Sequence, residues 1–373
     1  MRKHAICSAS SAERWINCPP SARLNAEAED RVSEFALQGT DAHELCEYLV
    51  KTAIGQHIRD PTAHLKYYDQ EMQEAAEGYR DFVMEHIEEM TSSAPPFVSV
   101  EQSVRFNRWV PEGFGTCDCM IVNDGMIDII DFKYGTGVEV SAEQNSQLMC
   151  YALGAMDLMD GMYDVQKIRL NIYQPRKCNV SSWELTAEAL LSWANETLRP
   201  AAQAAFEGTG DYKAGGHCRF CRIKAACRTY AAYYTDLLKY EFREPSKLTG
   251  KEITEILGKL DGLISWSESV KDYALKKALG GTKYDGYKVV AGRSIRKYTD
   301  ETAVARAVES EGLNPYRRTL LTITEMQKML GKKRFESLLS RYVIKPEGRP
   351  VLVPESDKRP PLETVSARDF DET

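Results

Sequence analysis

Residues 114–133 read FGTCDCMIVNDGMIDIIDFK, and no other stretch of the 373-residue chain restricts its folding so tightly. Two β-branched, apolar runs flank Asn-Asp-Gly, and Asp-Gly between such runs signals a hairpin. With Asp124 and Gly125 as the loop residues, Asn123 pairs with Met126, and counting outward sets Asp118 across from Asp131. A three-residue loop with a bulge would shift that register. Opposed side chains share a face, with Cβ atoms roughly 5 Å apart. Lys133 lies two residues beyond Asp131 and so joins them. Two facing carboxylates repel, and a hard cation such as Mg²⁺ relieves that repulsion through oxygen ligands. The same spacing also suits a solvated surface hairpin with an ordinary ion pair.

Around this hairpin the pattern alternates between helix and strand. Residues 8–50 read as helical with a break. Residues 69–91 repeat apolar positions at helical spacing, from Met72 through Tyr79 to Met90. Strands are predicted over 97–104, 114–122, 126–133, 167–174 and 181–186, with helices over 142–160 and 186–207. A soft boundary falls near residue 245. Beyond it, Thr249 and Glu252 form a capping-box pattern ahead of a helix whose apolar face runs from Ile253 to Ile264. A small hairpin over 286–299, short helices over 301–311 and 324–340, and a Pro- and charge-rich tail from residue 346 complete the reading. The domains expected are 1–245, 246–345 and 346–373.

Gly39-Thr40-Asp41-Ala42-His43 reads as a helix start, with Thr40 or Asp41 as cap and His43 in the first turn. A neutral imidazole there serves either as a metal ligand or as an ordinary surface or capping group. After the hairpin, Gln147 and Tyr151 are four residues apart and share a helical face. They suit a site wall, or equally a solvated amide beside a core tyrosine.

The chain holds ten cysteines, and its start lacks the sustained apolar segment of a signal peptide. A cytoplasmic protein is therefore expected, in which metal ligation explains clustered cysteines better than disulfides do. Cys218-x₂-Cys221-x₅-Cys227 supplies three thiolates, and Cys18 is the best candidate for a fourth. The remaining cysteines read mostly as small buried hydrophobes. Zinc and an iron–sulfur cluster both accept this set. No apolar run is long enough to span a bilayer. A protein that binds DNA over its whole surface is normally basic, so at a net charge of −7 any phosphate contact must be local or metal-assisted.

In order along the chain come Ser11-x₂-Arg14-Trp15-x₂-Cys18-Pro19, Gly39-Thr40-x₂-His43, Gly115-x₂-Asp118, Asp131-Phe132-Lys133, Gln147-x₃-Tyr151 and the closing cysteines. Together they resemble the RecB-like nucleases of the PD-(D/E)XK superfamily, over roughly residues 8–230. AddAB-type subunits, CRISPR-associated RecB-like exonucleases and uncharacterised phage-encoded members belong to that group. The resemblance implies an α/β restriction-endonuclease-like core, with a mixed central sheet flanked by helices and a helical C-terminal region. It implies a Mg²⁺- or Mn²⁺-dependent deoxyribonuclease, an exonuclease of recombination or DNA processing. His43, Asp118, Asp131 and the Phe132 carbonyl would be metal ligands, Lys133 the catalytic lysine, and Gln147 and Tyr151 the supporting pair. Cys18, Cys218, Cys221 and Cys227 would hold a [4Fe–4S] cluster, which moves the choice away from zinc. DNA is the implied partner, with a single-strand-binding or annealing recombination protein and an oligomer as further expectations. A catalytically inactive DNA-binding module and a zinc-stapled structural protein are the rival readings.

Overall fold

The structure, a computed structural model, describes residues 5–28, 34–92, 94–240, 248–290, 300–310, 312, 315–316 and 321–343. Helices α1 (Ala12–Asn17), α2 (Ser21–Glu27), α3 (Glu34–Ala53) and α4 (Gln70–Met90) precede strands β1 (Phe97–Arg105), β2 (Phe114–Asn123) and β3 (Gly125–Phe132). Helix α5 (Ser146–Met159) then crosses to β4 (Val165–Gln174), and β5 (Asn179–Thr186) follows. The five strands lie in sequence order, with β3–β4 parallel and the other pairs antiparallel, so the sheet is mixed.

Helices cover both faces, as the alternation within each strand requires. Ile127 and Ile129 point into a core with Trp15 of α1, Leu148 and Leu153 of α5, and Leu190 and Ala202. Ile130 and Phe132 point into the other, with Leu45 and Val50 of α3 and Met72, Tyr79 and Val83 of α4. Buried Asp128 would be costly on that face alone. It is satisfied by His86 at 2.7 Å, Arg169 at 2.6 Å and Asn171 at 2.5 Å.

The expected helix over 186–207 is α6 (Ala187–Trp193) and α7 (Arg199–Glu207), joined by a π-helical stretch, Ala194–Leu198. Pro200 has no N–H to close a regular turn there. Helices α8 (Arg228–Thr235) and α9 (Gly250–Leu279) follow, and Thr249 and Glu252 form the predicted capping box. The chain divides into two units, Met1–Val289 and Val290–Thr373. The second contains α10 (Glu301–Ser310), α11 (Ile323–Leu330) and α12 (Lys332–Leu339). The last two divide the helix expected over 324–340 at Gly331, whose φ of 73° breaks it. Most of the hairpin expected over 286–299, and the tail from residue 346, lie outside the described residues.

One prediction fails locally. Helix α3 begins at Glu34, so Gly39 and Thr40 are interior residues. Thr40 bonds back to the Ala36 carbonyl at 3.0 Å, and Asp41 accepts from the Tyr67 N–H at 2.8 Å. Packing of α3 on α4 overrides the interior glycine's cost of about 1 kcal/mol. Among the described residues, no helix is long and apolar enough to cross a membrane.

Candidate functional site

The β2–β3 ladder keeps the expected register from Asn123↔Met126 to Cys119↔Ile130 and stops there. Beyond that point β2 still pairs with β1 as far as Phe114, and β3 still pairs with β4 as far as Phe132. The sheet therefore forks at Asp118 and Asp131, where two facing carboxylates would disfavour closure. In place of a further rung, an Asp118 oxygen accepts the Phe132 N–H at 2.8 Å.

Into this fork the surrounding elements direct polar groups. His43 Nδ1, from α3, lies 3.5 Å from Asp118 Oδ2 and 3.9 Å from Glu101 Oε1. The His43, Glu101 and Asp118 ligand atoms lie within 4.8 Å of one another. The buried ring of Phe132 sits edge-on to His43, with centroids 5.4 Å apart. Lys133 Nζ is 2.7 Å from Asp131 Oδ2 and donates to Gln147 Oε1 at 3.2 Å. Gln147 Nε2 reaches Asp131 at 3.3 Å and the Tyr151 hydroxyl at 3.0 Å. Asn145 caps α5, its side-chain oxygen accepting from Gln147 and Leu148, and so fixes Gln147 at the helix start. A Cβ on Gly115 would come within 2.7 Å of the Tyr151 ring, which explains a glycine three residues before Asp118.

The structure thus brings His43, Asp118, Asp131, Lys133, Gln147 and Tyr151 together, but the tightest ligand group takes Glu101 rather than Asp131. Glu101 interrupts β1 with φ of 54°, between the pairs Val100↔Cys119 and Gln102↔Cys117. The sequence offers Glu101 as a strand acid that could join the site, but it matches no motif that would align it, and a left-handed glutamate leaves no periodic signal. Asp131 is ion-paired with Lys133, and because a carboxylate oxygen carries two lone pairs, its buried Oδ2 keeps capacity for a further partner.

Electrostatics follow from this crowding. Burial would lower the His43 pKa, but Asp118 beside it, with Asp131, pushes it up to about 9. Burial and then the charge of Asp118 push Glu101 up to about 7. Burial works against charge on Asp118, but His43, Lys133 and the Phe132 N–H hold its pKa below the usual range. Asp131 goes the other way, pushed up to about 6 by burial and Asp118 against the pull of Lys133. One carboxylate of a close pair keeps its charge at the other's expense.

A second constellation lies at the end of α1. Cys18, Cys218, Cys221 and Cys227 line one cavity with Arg14, Lys213 and Tyr230. Asn25 donates to Cys221 Sγ at 3.2 Å and accepts the Arg222 N–H at 2.8 Å, tying α2 to the cysteine loop. Tyr234 stacks on Trp266 of α9 behind it. Of the six other cysteines, Cys178 is exposed, at a left-handed turn with φ of 50°, and the other five are buried.

A profile of the family described as "Protein of unknown function (DUF2800)" matches residues 4–360. Among solved structures, the crystal structure of SSO0001 is similar at 13% sequence identity, over 52% of this chain and 98% of that one, with a TM-score of 0.23.

Proposed function

The chain belongs to the DUF2800 family, and we propose that it is a metal-dependent nuclease hydrolysing phosphodiester bonds in DNA, with a PD-(D/E)XK core of the RecB-like kind. The observation that carries this reading is the group His43, Glu101 and Asp118, within 4.8 Å of one another at the fork that also holds Asp131 and Lys133. The order of motifs in the sequence supplies the choice of DNA and of an exonuclease. The setting proposed is cytoplasmic recombination or DNA processing.

The donors fit a hard divalent cation: two carboxylates, one imidazole and, at Asp131, a buried oxygen with acceptor capacity to spare. His43, Glu101 and Asp118 would hold Mg²⁺ or Mn²⁺, with Asp131 and the Phe132 carbonyl as the further oxygens. When bound, the ion supplies charge for the phosphate and lowers the pKa of water. Burial opposes charge on Lys133, but Asp131 and Asp118 keep it protonated. Its ammonium, aimed by Asp131 and Gln147, can stabilise the extra negative charge of the attacked phosphate. Tyr151 braces Gln147, and Gln147 braces both Lys133 and Asp131.

The four thiols lining the second constellation suit either zinc or an iron–sulfur cluster, and the order of motifs in the sequence supplies the choice of a [4Fe–4S] cluster. Its role would be structural, joining the end of α1 to the loop before α8.

The test is anaerobic purification, then incubation with end-labelled single- and double-stranded linear DNA in Mg²⁺, Mn²⁺ or EDTA. Metal-dependent cleavage is expected, falling at least about 100-fold in Asp131→Ala and in Lys133→Ala. No cleavage by the well-folded, cluster-loaded protein would overturn the reading.

A further inference from the structure

We infer that Phe220, flanked by Arg219, is a stacking platform for an unpaired base of the DNA strand being cut, which makes single-stranded ends the preferred substrate. The inference rests on the nuclease reading and adds a substrate class to it.

Phenylalanine belongs in a core, yet the side chain of Phe220 is 79% exposed. The segment that presents it is firmly held. Phe220 stands between the buried thiols Cys218 and Cys221, and the Cys221 N–H bonds the Cys218 carbonyl at 3.0 Å. On either side, the Arg219 N–H bonds Gly216 at 3.0 Å and the Arg222 N–H bonds Asn25 at 2.8 Å. Lys224 closes the turn by donating to the Arg219 carbonyl at 2.8 Å. A hydrogen-bonded turn fixes the backbone that presents the ring, so only the two side-chain torsions of Phe220 remain to be ordered when a flat partner stacks on it.

Arg219 carries its guanidinium 5.9 Å from the Phe220 ring centroid. Among the described residues, no carboxylate pairs with it. Its Nη2 lies 4.0 Å from where a Cβ on Gly137 would stand. Gly137 belongs to the loop that leaves Lys133, and that loop is pinned by Gln174, which donates to the carbonyls of Gly135 at 3.0 Å and Val138 at 2.7 Å. Ring, guanidinium and catalytic lysine are therefore linked through short, fixed segments.

The chemistry selects the partner. A lone ring beside a single guanidinium is too small an apolar surface for a membrane or a stable protein interface. It matches one base and one phosphate, since every base offers a π-face and the backbone supplies the anion. A base exposes that face only when unstacked and unpaired. On a chain of net charge −7, a local cation is also what a phosphate needs.

The test uses the full-length, cluster-loaded protein with a single-stranded oligonucleotide and a blunt duplex of the same sequence. Phe220→Ala should lower the ratio of single-strand to duplex kcat/KM about tenfold, the loss expected for one base–aromatic stack. Phe220→Leu keeps the apolar bulk and should fall equally, while Phe220→Trp should restore the ratio. In EDTA, oligonucleotides carrying 2-aminopurine near one end should be quenched by wild type and not by Phe220→Leu. An unchanged ratio and unchanged quenching in variants of normal iron content would overturn the platform. A wild type that cleaves no DNA would instead overturn the nuclease reading, because the quenching measurement does not depend on cleavage.

Discussion

Glu101 holds a conformation that costs a non-glycine residue about 1–2 kcal/mol, and it does so between two regular rungs of the β1–β2 ladder. Strain of this kind persists where the surroundings over-determine it, and here it turns a carboxylate toward Asp118 and His43. Glu101→Gly should therefore raise metal-free stability by about 1 kcal/mol in urea titrations, because it relieves both backbone strain and like-charge repulsion. The same variant should lose at least about tenfold in Mn²⁺ affinity; unchanged affinity would remove Glu101 from the ligand set. Proton linkage belongs at this scale too. Without metal, His43 keeps its proton up to about pH 9 and Glu101 is half-protonated near pH 7. A cation needs both groups deprotonated, so binding near neutral pH should release protons, and affinity should rise with pH between about 7 and 9. Calorimetry in buffers of different ionisation enthalpy reads the proton count, and a pH-independent affinity would contradict the geometry.

Between elements, the decisive feature is the fork. β2 and β3 pair from the turn to Cys119↔Ile130, and their free ends then follow different neighbours. Helix α5 covers this region, and Gly115 lets the Tyr151 ring sit against β2. Gly115→Ala should push that ring away, costing about 1–3 kcal/mol in stability. It should also lower activity, since Tyr151 braces Gln147. A Gly115→Ala protein of normal stability and rate would show that α5 yields without consequence. On the opposite face, Asp128→Ala should cost about 3–5 kcal/mol by leaving Arg169 and His86 without their buried partner. That loss would appear in the urea midpoint, whereas metal affinity, which belongs to the fork, should stay the same.

Across the first unit, short helices near the start of the chain are joined to segments nearly 200 residues later. Arg23 donates to the Phe206 carbonyl at 2.6 Å, and Asn25 bonds both Cys221 and Arg222. A group shared by Cys18 and Cys218–Cys227 would complete this closure. Removing iron, or Cys18→Ser, should therefore lower the melting temperature and open residues 19–28 to limited proteolysis, with a loss on the order of a few kcal/mol. An apo protein with the same melting curve and the same cleavage pattern would assign the thiols no structural role.

The hairpin register, the helix over residues 69–91, the Gln147–Tyr151 face and the capping box at Thr249 were legible in the chain because each is a local matter of turn chemistry or side-chain period. Asn-Asp-Gly between β-branched runs dictates its own pairing, and an i, i+4 pair on a helix needs no tertiary knowledge. Three features were not local. Helix α3 runs through Gly39 and Thr40 because packing against α4 outweighs their propensity. The β2–β3 pairing ends at the carboxylates because β1 and β4 each keep hold of one strand. Glu101 joins His43 and Asp118 only through a left-handed residue inside a strand, a conformation that long-range contacts impose and no sequence pattern encodes. Composition and spacing determined which chemical groups the chain carries and which face each would share; the tertiary structure decided which of them meet, because that depends on contacts between segments far apart in sequence.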